Sequence, residues 1–233
     1  MECSYKPSLQ TGVDIYADRI VELAAIHAPE DHRYLGGCFS SLVQVEQAIL
    51  SERGQAAAKV HGITDAEIAA APKFKTVWFR FLSWVDELLE MTVSDETDSE
   101  NEDPRQTQLL SEPPLLLLGG HNSVRFDFPM LLAECLRHCV PCDCFQKWIY
   151  VDTLHVVGAF EYSCKKLQCL VKHLGETADL RAHRALDDTV ALRHVSNVFA
   201  ERLGCTLPDL LRQFALELDF DRSLAVLSIL LVA

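Results

Sequence analysis

The sequence lacks a long hydrophobic run, which predicts that no helix crosses a membrane. Such a helix needs roughly 18 or more apolar residues in a row, and the apolar C-terminal stretch, residues 223–233, is shorter than this and is predicted to be a core segment or a docking helix. The chain also lacks a secretory signal peptide. Nine cysteines, an odd number, without such a leader favour reduced thiols. We therefore expect an intracellular protein without a membrane partner, and the pattern does not distinguish cytoplasm, nucleus or organelle.

The sequence also contains few positively charged residues relative to acidic ones. Lysine and arginine total 21 against 34 acidic residues, which gives a net charge of −13. A chain of this charge does not attract nucleic-acid phosphates over its whole surface. Several of the acidic residues lie in residues 91–111, a polar segment that is predicted to be a disordered loop. A nucleic-acid substrate therefore stays compatible with the charge if metal ions in a cleft offset it.

The length and the order of the elements indicate one α/β domain. A chain of 233 residues is typical of a single domain with some decoration. Residues 19–28 and 34–43 are predicted to be the strands of an antiparallel hairpin. Thr64 and Glu67 have the spacing of a capping box, and residues 74–89 repeat apolar side chains at helical spacing. Short strands and helices alternate after residue 111, so we predict a mixed sheet flanked by helices.

The most informative stretch is residues 113–139. A short leucine run ends at Leu118, and Gly119-Gly120 are predicted to break the strand there. A polar turn follows, and Pro129 fits the first turn of the next helix. Asp127 therefore lies at a strand-to-helix junction, where open α/β sheets place their ligands. The alternative is that Asp127 only caps the helix.

A second acidic position lies in the helix predicted for residues 182–204. Asp188 falls on the same face as Leu192, and a carboxylate on a core face is costly unless it is paired or bound to a metal. His183 is predicted to lie in the loop before this helix, where it would overhang the site. Asp127 and Asp188 could share a hard cation such as Mg²⁺, with a nearby histidine as general base. The alternatives are an arginine ion pair for Asp188 and an ordinary surface position for His183.

A cysteine cluster offers a separate candidate site for a metal. It contains one C-x-x-C step and a histidine, in the order Cys135, His138, Cys139, Cys142 and Cys144. Thiolates at such spacings can bind zinc, but a second C-x-x-C pair is missing. The alternative is that the helix turns an apolar face inward, where a reduced cysteine behaves as a small hydrophobic residue. That face is predicted to consist of Leu132, Cys135, Leu136 and Cys139.

Two motifs in order resemble those of a known family. His121-Asn122-x-x-x-Phe126-Asp127 and His183-x-Ala185-x-x-Asp188 resemble the second and third motifs of the DEDDh 3′–5′ exonucleases. The resemblance covers about residues 11–203. It implies a ribonuclease H-like fold with a mixed five-stranded sheet, in an exonuclease-like domain over residues 11–204 with the insertion at 91–111. Residues 205–233 would form a C-terminal helical segment.

The resemblance also implies roles for particular residues. Asp127 and Asp188 would be metal ligands, and His183 would be the general base that deprotonates the attacking water. The residues implied in substrate binding are Thr11, Gly12, His121, Asn122 and Phe126. The implied chemistry is two-metal hydrolysis with Mg²⁺ or Mn²⁺, which releases mononucleotides from a single-stranded or 3′-end nucleic acid. The resemblance does not decide between DNA and RNA, and the oligomeric state is unknown.

The first motif departs from the family pattern. That motif is Asp-x-Glu-Thr-Thr-Gly, and its last two residues match Thr11-Gly12, whereas Pro7 and Leu9 stand in place of the two acids. The apolar strand before them is missing as well. We favour the hypothesis that the chain is an N-terminally truncated product, because the rest remains family-like. The alternative is a noncatalytic module of the same fold that binds nucleic acid or a protein.

Overall fold

The computed structural model describes residues 18–28, 37–45, 52–96, 116–175 and 183–215. Within these ranges, strands and helices alternate as expected for the α/β class. In chain order the first half contains β1 (Glu22–Ile26), β2 (Cys38–Leu42), α1 (Glu52–His61), α2 (Asp65–Ala70) and α3 (Phe74–Glu96). The second half contains β3 (Leu116–Gly120), α4 (Asp127–Arg137), a 3₁₀ helix (Asp143–Lys147), β4 (Trp148–Asp152), α5 (Thr153–Gly158), α6 (Leu167–Leu174), α7 (Ala185–Leu203) and α8 (Leu207–Gln213).

The described strands pair in two ways. β1 and β2 form the predicted antiparallel hairpin, although both strands are shorter than 19–28 and 34–43. β3 and β4 pair in parallel, with Leu116 opposite Trp148 and Gly120 opposite Asp152. The α/β class is therefore confirmed. The described strands form two two-stranded sheets. The prediction that the first strand is absent concerns residues outside the described ranges.

Both glycines after the leucine run belong to β3. The prediction that Gly119-Gly120 end the strand is wrong, because the strand continues through Gly120 and pairs Gly119 with Val151. Both glycines are buried, and a residue without a side chain allows close backbone approach in a packed strand. Oγ1 of Thr153 lies 3.2 Å from the Gly120 carbonyl oxygen. The two extra residues bring His121 directly to the carboxyl end of the strand.

The first core cluster is built on α3. The predicted amphipathic face is confirmed, since Phe74, Val77, Trp78, Phe81 and Val85 are all buried. The indole Nε1 of Trp78 donates to the Pro141 carbonyl oxygen at 3.1 Å, so its polar atom is satisfied inside the core.

Thr64 caps α2 with the predicted capping box. α3 does not end before residue 91 but runs to Glu96, because residues 91–96 contain no proline or glycine to break it. The rest of the predicted loop, residues 97–111, lies outside the described ranges.

The buried face of α4 differs from the predicted one. Phe128, Leu131 and Cys135 are buried, at spacings of three and four residues. Leu136 is 53% exposed, and Cys139 lies beyond the helix with a φ of 48° and is also exposed. The predicted face of Leu132, Cys135, Leu136 and Cys139 is therefore wrong except at Cys135 and the partly buried Leu132. The helix takes its register from Phe128 and ends at Arg137, so Cys139 cannot share its face.

The second core cluster joins α6, α7 and α8. Gly175 ends α6 with a φ of 80°, a conformation that favours glycine. α7 begins at Ala185, three residues later than predicted, and buries Leu192, Val195 and Phe199. α8 packs Leu207, Leu210 and Leu211 onto the same cluster. The domain boundary at residue 204 remains a prediction. Over the described ranges, no helix combines the length and the apolar character that spanning a bilayer requires.

Candidate active site

A cavity of about 560 Å³ opens where β3 meets the starts of α4, α6 and α7. Six of the eight predicted site residues line it, namely His121, Asn122, Phe126, Asp127, His183 and Asp188. The cavity is also lined by Leu154, Lys165, Lys166, Leu167, Gln168 and Leu192. The other two predicted residues, Thr11 and Gly12, lie outside the described ranges. The two motifs, about sixty residues apart in sequence, therefore meet at one place.

Asp127 is the first residue of α4. The residue in the capping position is Phe126, whose side chain makes no capping hydrogen bond, so a side-chain cap is not the role of Asp127. Burial, together with the charges of Asp152 and Asp188, raises the pKa of Asp127 to about 7, although a hydrogen bond from its own backbone N–H lowers it. A carboxylate under this pressure gains stability from a proton or from a bound cation.

Asp188 lies in the first turn of α7. Its Oδ2 accepts the backbone N–H of His183 at 3.1 Å, and its Oδ1 lies 3.5 Å from Nε2 of Gln168. Burial raises the pKa of this carboxyl, while the hydrogen bond from His183 lowers it. Among the described residues no arginine pairs with Asp188, so the alternative of an arginine ion pair finds no support there.

His183 lies in the turn before α7, at the rim of the cavity. Its side chain is exposed, as expected for a residue that overhangs the site. Its φ of 68° falls in the left-handed region, which costs a non-glycine residue on the order of 1–3 kcal/mol. Such a conformation persists only where the neighbouring contacts fix it. The bond to Asp188 is one of them, and the next residue, Arg184, makes others.

Asp152 is an organising residue that the sequence argument missed. Its side chain is buried at the end of β4, where Oδ1 accepts the backbone N–H groups of Asn122 at 2.7 Å and Leu154 at 2.9 Å. Its Oδ2 accepts the N–H of Val124 at 3.3 Å. One carboxylate thus caps α5 and holds the turn that follows β3. An aspartate between a strand and a helix is the usual signal of a cap, and it could have identified this position.

His121 joins two segments of the cavity wall. Its Nε2 lies 2.7 Å from the Lys165 carbonyl oxygen, and its Nδ1 lies 2.9 Å from Oγ1 of Thr153. A carbonyl oxygen only accepts, so Nε2 carries the hydrogen. Burial lowers the pKa of the ring, which favours the neutral form, with Nδ1 accepting from the Thr153 hydroxyl. In this arrangement both ring nitrogens are engaged, and His121 acts as a structural link.

Two lysines add positive charge to a cavity that also holds two carboxylates. Lys165 and Lys166 line the cavity and are exposed, and the sequence argument gave neither of them a role at the site. A disulfide between Cys164 and Cys169 encloses them. The prediction of reduced thiols is therefore wrong for this pair. The turn before α6 brings the two Cα atoms to 6.0 Å, within the span that a disulfide bridges.

The cysteine cluster does not form a zinc site. Cys135 is buried, and burial raises the pKa of its thiol above the usual range. Burial raises the pKa of Cys144 to about 12. In the metal-free fold, burial therefore favours the neutral thiol, in agreement with the alternative that Cys135 behaves as a small hydrophobic residue. In the described part of the chain, no group of three or more His, Cys, Asp or Glu residues is arranged to hold a metal.

The cavity offers a smaller ligand set for a hard cation. Asp127 and Asp188 both line it, and carboxylate oxygens are the ligands that Mg²⁺ and Mn²⁺ prefer. Their raised pKa values show that negative charge here is poorly compensated. These two residues offer carboxylate oxygens of the kind that a divalent cation binds. They are too few to fix a pair of cations, and further ligands would have to come from other segments.

Comparison with known proteins gives a partial match to one family and a likeness in fold. Residues 10–110 match the model of a family described as exonuclease. This range includes Thr11 and Gly12 and ends before Asp127 and Asp188. No curated protein sequence matches the chain.

Three solved structures resemble the chain closely in fold. The nuclease domain of 3′hExo, a DEDDh family member bound to rAMP, has a TM-score of 0.56 and 18% identity, over 80% of this chain and 82% of that one. A full-length 3′-exonuclease has a TM-score of 0.53 and 16% identity, over 100% and 91% of the two chains. A 3′-exonuclease that recognises the 3′ end of a histone mRNA stem-loop has a TM-score of 0.55 and 16% identity, over 98% and 90%. At these identities the likeness concerns the fold.

Proposed function

We propose that this chain is a member of the exonuclease family and that it binds the 3′ end of a nucleic acid in the cavity at Asp127. The match of residues 10–110 to the exonuclease model and the fold shared with a DEDDh nuclease support this proposal. The reaction of the site would be 3′–5′ hydrolysis of phosphodiester bonds. The observation that carries this proposal is the meeting of Asp127, Asp188 and His183 at one cavity. Two partly buried carboxylates and an exposed imidazole around one cavity are the groups that metal-assisted phosphodiester hydrolysis needs.

The side chains around the cavity have distinct roles in this proposal. Asp127 and Asp188 would hold a divalent cation, Mg²⁺ or Mn²⁺, which when bound would stabilise negative charge on the phosphate oxygens. His183, exposed at the rim, would accept the proton of the attacking water. Lys165 and Lys166 would face the phosphates. Phe126 would supply an apolar surface for a base or a sugar.

The neighbours of known function favour RNA as the substrate. One of them was solved with rAMP and another recognises the end of a histone mRNA stem-loop. On this basis we propose a single-stranded RNA 3′ end, with DNA as the competing substrate for the assay. The overall net charge of −13 means that binding depends on the cavity and its lysines rather than on the whole surface.

We further propose that this chain is impaired as a catalyst. Phosphodiester hydrolysis by a cation pair needs the two ions at a separation of roughly 3.5–4 Å. Asp127 and Asp188 supply two carboxylates, whereas Pro7 and Leu9 occupy the positions of the two acids in the first motif. The same substitution favours a second candidate function, in which the chain binds an RNA 3′ end without cutting it.

The test compares the chain with a variant in which the acids are restored. The assay is the release of mononucleotides from a 3′-labelled single-stranded RNA, and from the matching DNA, with Mn²⁺ and with chelator. We expect very weak cleavage by the unmodified chain and chelator-sensitive cleavage by the restored chain, in which an added apolar strand precedes Pro7→Asp/Leu9→Glu. In that background Asp188→Asn or His183→Ala should abolish cleavage. Asp86→Asn, an exposed position on α3, is the matched control and should leave it unchanged.

Binding measured in parallel separates the two candidates. RNA bound by every variant and cut by none would support the noncatalytic module. Strong chelator-sensitive cleavage by the unmodified chain, lost in Asp188→Asn, would show that the first-motif acids are not needed. If no variant binds or cuts either nucleic acid, both candidates are wrong.

A further inference from the structure

Glu22, at the start of β1, contacts the turn that carries His183. Its side chain is only 8% exposed. Its Oε1 accepts Nη2 of Arg184 at 2.9 Å, and its Oε2 accepts Nε of Arg184 at 3.1 Å. The same Oε2 accepts the backbone N–H of Ala185 at 2.9 Å. One carboxylate from a distant strand therefore takes three hydrogen bonds from two consecutive residues.

This contact supplies what the start of α7 lacks. The first N–H groups of a helix have no partner within the helix and need an outside acceptor. Arg184 occupies the capping position, and its side chain makes no capping bond. Glu22 accepts the first of these N–H groups, that of Ala185. The negative charge also lies at the helix end that favours it, and the two-pronged bond to the guanidinium fixes the direction of Arg184.

The contact reaches His183 through the backbone. His183 has the left-handed φ of 68°, and the next residue, Arg184, is extended. Asp188 accepts the N–H of His183 from one side, at 3.1 Å. Glu22 holds Arg184 and Ala185 from the other side. The strained turn is therefore held at both ends, and its side chain is presented at the cavity.

We propose that Glu22 is a positioning residue, which through Arg184 and Ala185 fixes the backbone that presents His183 to the cavity. The importance of this for chemistry rests on the proposed function. The restraint itself does not, since it follows from the three hydrogen bonds to a nearly buried carboxylate. Glu22 touches neither substrate nor water in this scheme and acts only through the turn.

The first experiment measures amide hydrogen exchange and backbone chemical shifts by NMR in Glu22→Gln. This change keeps the shape of the side chain and removes its charge. It also places an amide NH₂, itself a donor, next to the N–H donors of Arg184 and Ala185. We expect the N–H groups of His183 and Ala185 to exchange about tenfold faster or more. The buried Val195 on the same helix should be unchanged, which excludes general unfolding. Glu201→Gln, an exposed carboxylate of α7, is the matched control and should change neither site.

A second variant covers the case in which Glu22→Gln does not fold. Arg184→Lys keeps the positive charge and loses the two-pronged geometry, while the bond from Ala185 to Glu22 is retained. We expect a shift of the His183 backbone signals with a smaller change in exchange at Ala185. If exchange at His183 and Ala185 stays within twofold of the parent chain in every folded variant, the proposal is overturned.

A kinetic readout separates positioning from a purely structural role. In the restored chain, Glu22→Gln should lower kcat about 10- to 100-fold with KM within twofold, because displacing a reacting group by about 1 Å can cost 100-fold. Faster exchange with an unchanged kcat would overturn the positioning role and leave the proposed function intact. If the restored chain itself cuts nothing, the proposed function fails, and the exchange measurement still decides the restraint at Glu22.

Discussion

Asp152→Asn tests whether one buried carboxylate organises the cavity wall. In the native chain this group accepts three backbone N–H groups, from Asn122, Val124 and Leu154. Asparagine has the same shape, but only one of its two terminal atoms can accept a hydrogen bond. If its oxygen takes the place of Oδ1, the bonds from Asn122 and Leu154 persist in a neutral form. Its NH₂ then faces the N–H of Val124, donor against donor.

The expected cost follows from these contacts. A hydrogen bond to a charged group contributes about 1.5–3 kcal/mol, and a neutral one about 1 kcal/mol. A buried N–H left without a partner costs about 1–3 kcal/mol. Weakening two bonds and losing the one at Val124 should lower the free energy of unfolding by about 2–7 kcal/mol. Since 1 kcal/mol corresponds to about 2–4 °C at this chain length, the Tm should fall by about 4–28 °C.

Urea unfolding followed by circular dichroism measures this difference, with Asp86→Asn as the matched control. Asp86 is exposed on α3, so its variant should stay within about 0.5 kcal/mol of the parent. Amide exchange at Asn122 and Val124 should also become faster in Asp152→Asn. A loss below about 0.5 kcal/mol with unchanged exchange at both residues would refute the reasoning. It would mean that the turn is held by its own backbone bonds.

Three other perturbations have defined outcomes. Trp78→Ala should lower the free energy of unfolding by about 3–5 kcal/mol in urea titrations, because the indole is fully buried, whereas Phe79→Ala, at an exposed position, should change it little. His121 has a pKa below its usual 6.5 in the fold, so its contribution to stability is complete above pH 6.5 and is lost as the pH falls, because the unfolded chain binds the proton first. The drop in stability between pH 7 and pH 5 should therefore be smaller in His121→Gln. Reduction of Cys164–Cys169 with dithiothreitol should lower the unfolding free energy by about 2 kcal/mol on the loop-entropy model, and no change would show that the bridge contributes nothing.

Most of the structural elements that were correctly predicted from the sequence were predicted from local patterns. The helical spacing of α3 and the capping box at Thr64 each depend on residues within one or two turns of each other, and both appear in the structure. The stop signal at Gly175 is of the same kind. The wrong predictions concern strand ends and helix faces that are determined by packing against distant parts of the chain. The pattern alone could not tell whether Gly119 ends β3 or lies within it, because that depends on the pairing with β4.

Some residues of the site could be predicted from the sequence, and others are identified only by the fold. The motif residues Asp127, His183 and Asp188 could be found from the sequence, and the structure brings them to one cavity. Glu22 and Asp152 could not be assigned from spacing, because their partners lie far away in the sequence. Glu22 binds Arg184, which lies 162 positions further on, and Asp152 binds Asn122, which lies 30 positions earlier. Only the fold shows which N–H groups those carboxylates meet.

The contacts of four carboxylates separate them into two kinds. Asp152 and Glu22 each accept three N–H donors from the protein, which leaves few free lone pairs for a cation. Asp127 and Asp188 face the cavity with fewer donors, and burial raises the pKa of both. Burial without full compensation is what makes a carboxylate available for binding. A carboxylate therefore fixes the backbone where its hydrogen-bond donors are complete, and it is free to bind a ligand where they are not.

On this reasoning, Asp127→Asn should stabilise the chain in the absence of metal, because it removes a poorly compensated charge, whereas Asp152→Asn should destabilise it. Urea titrations of the two variants in chelator, side by side, measure the sign of each effect, and a loss of stability in both would contradict the division.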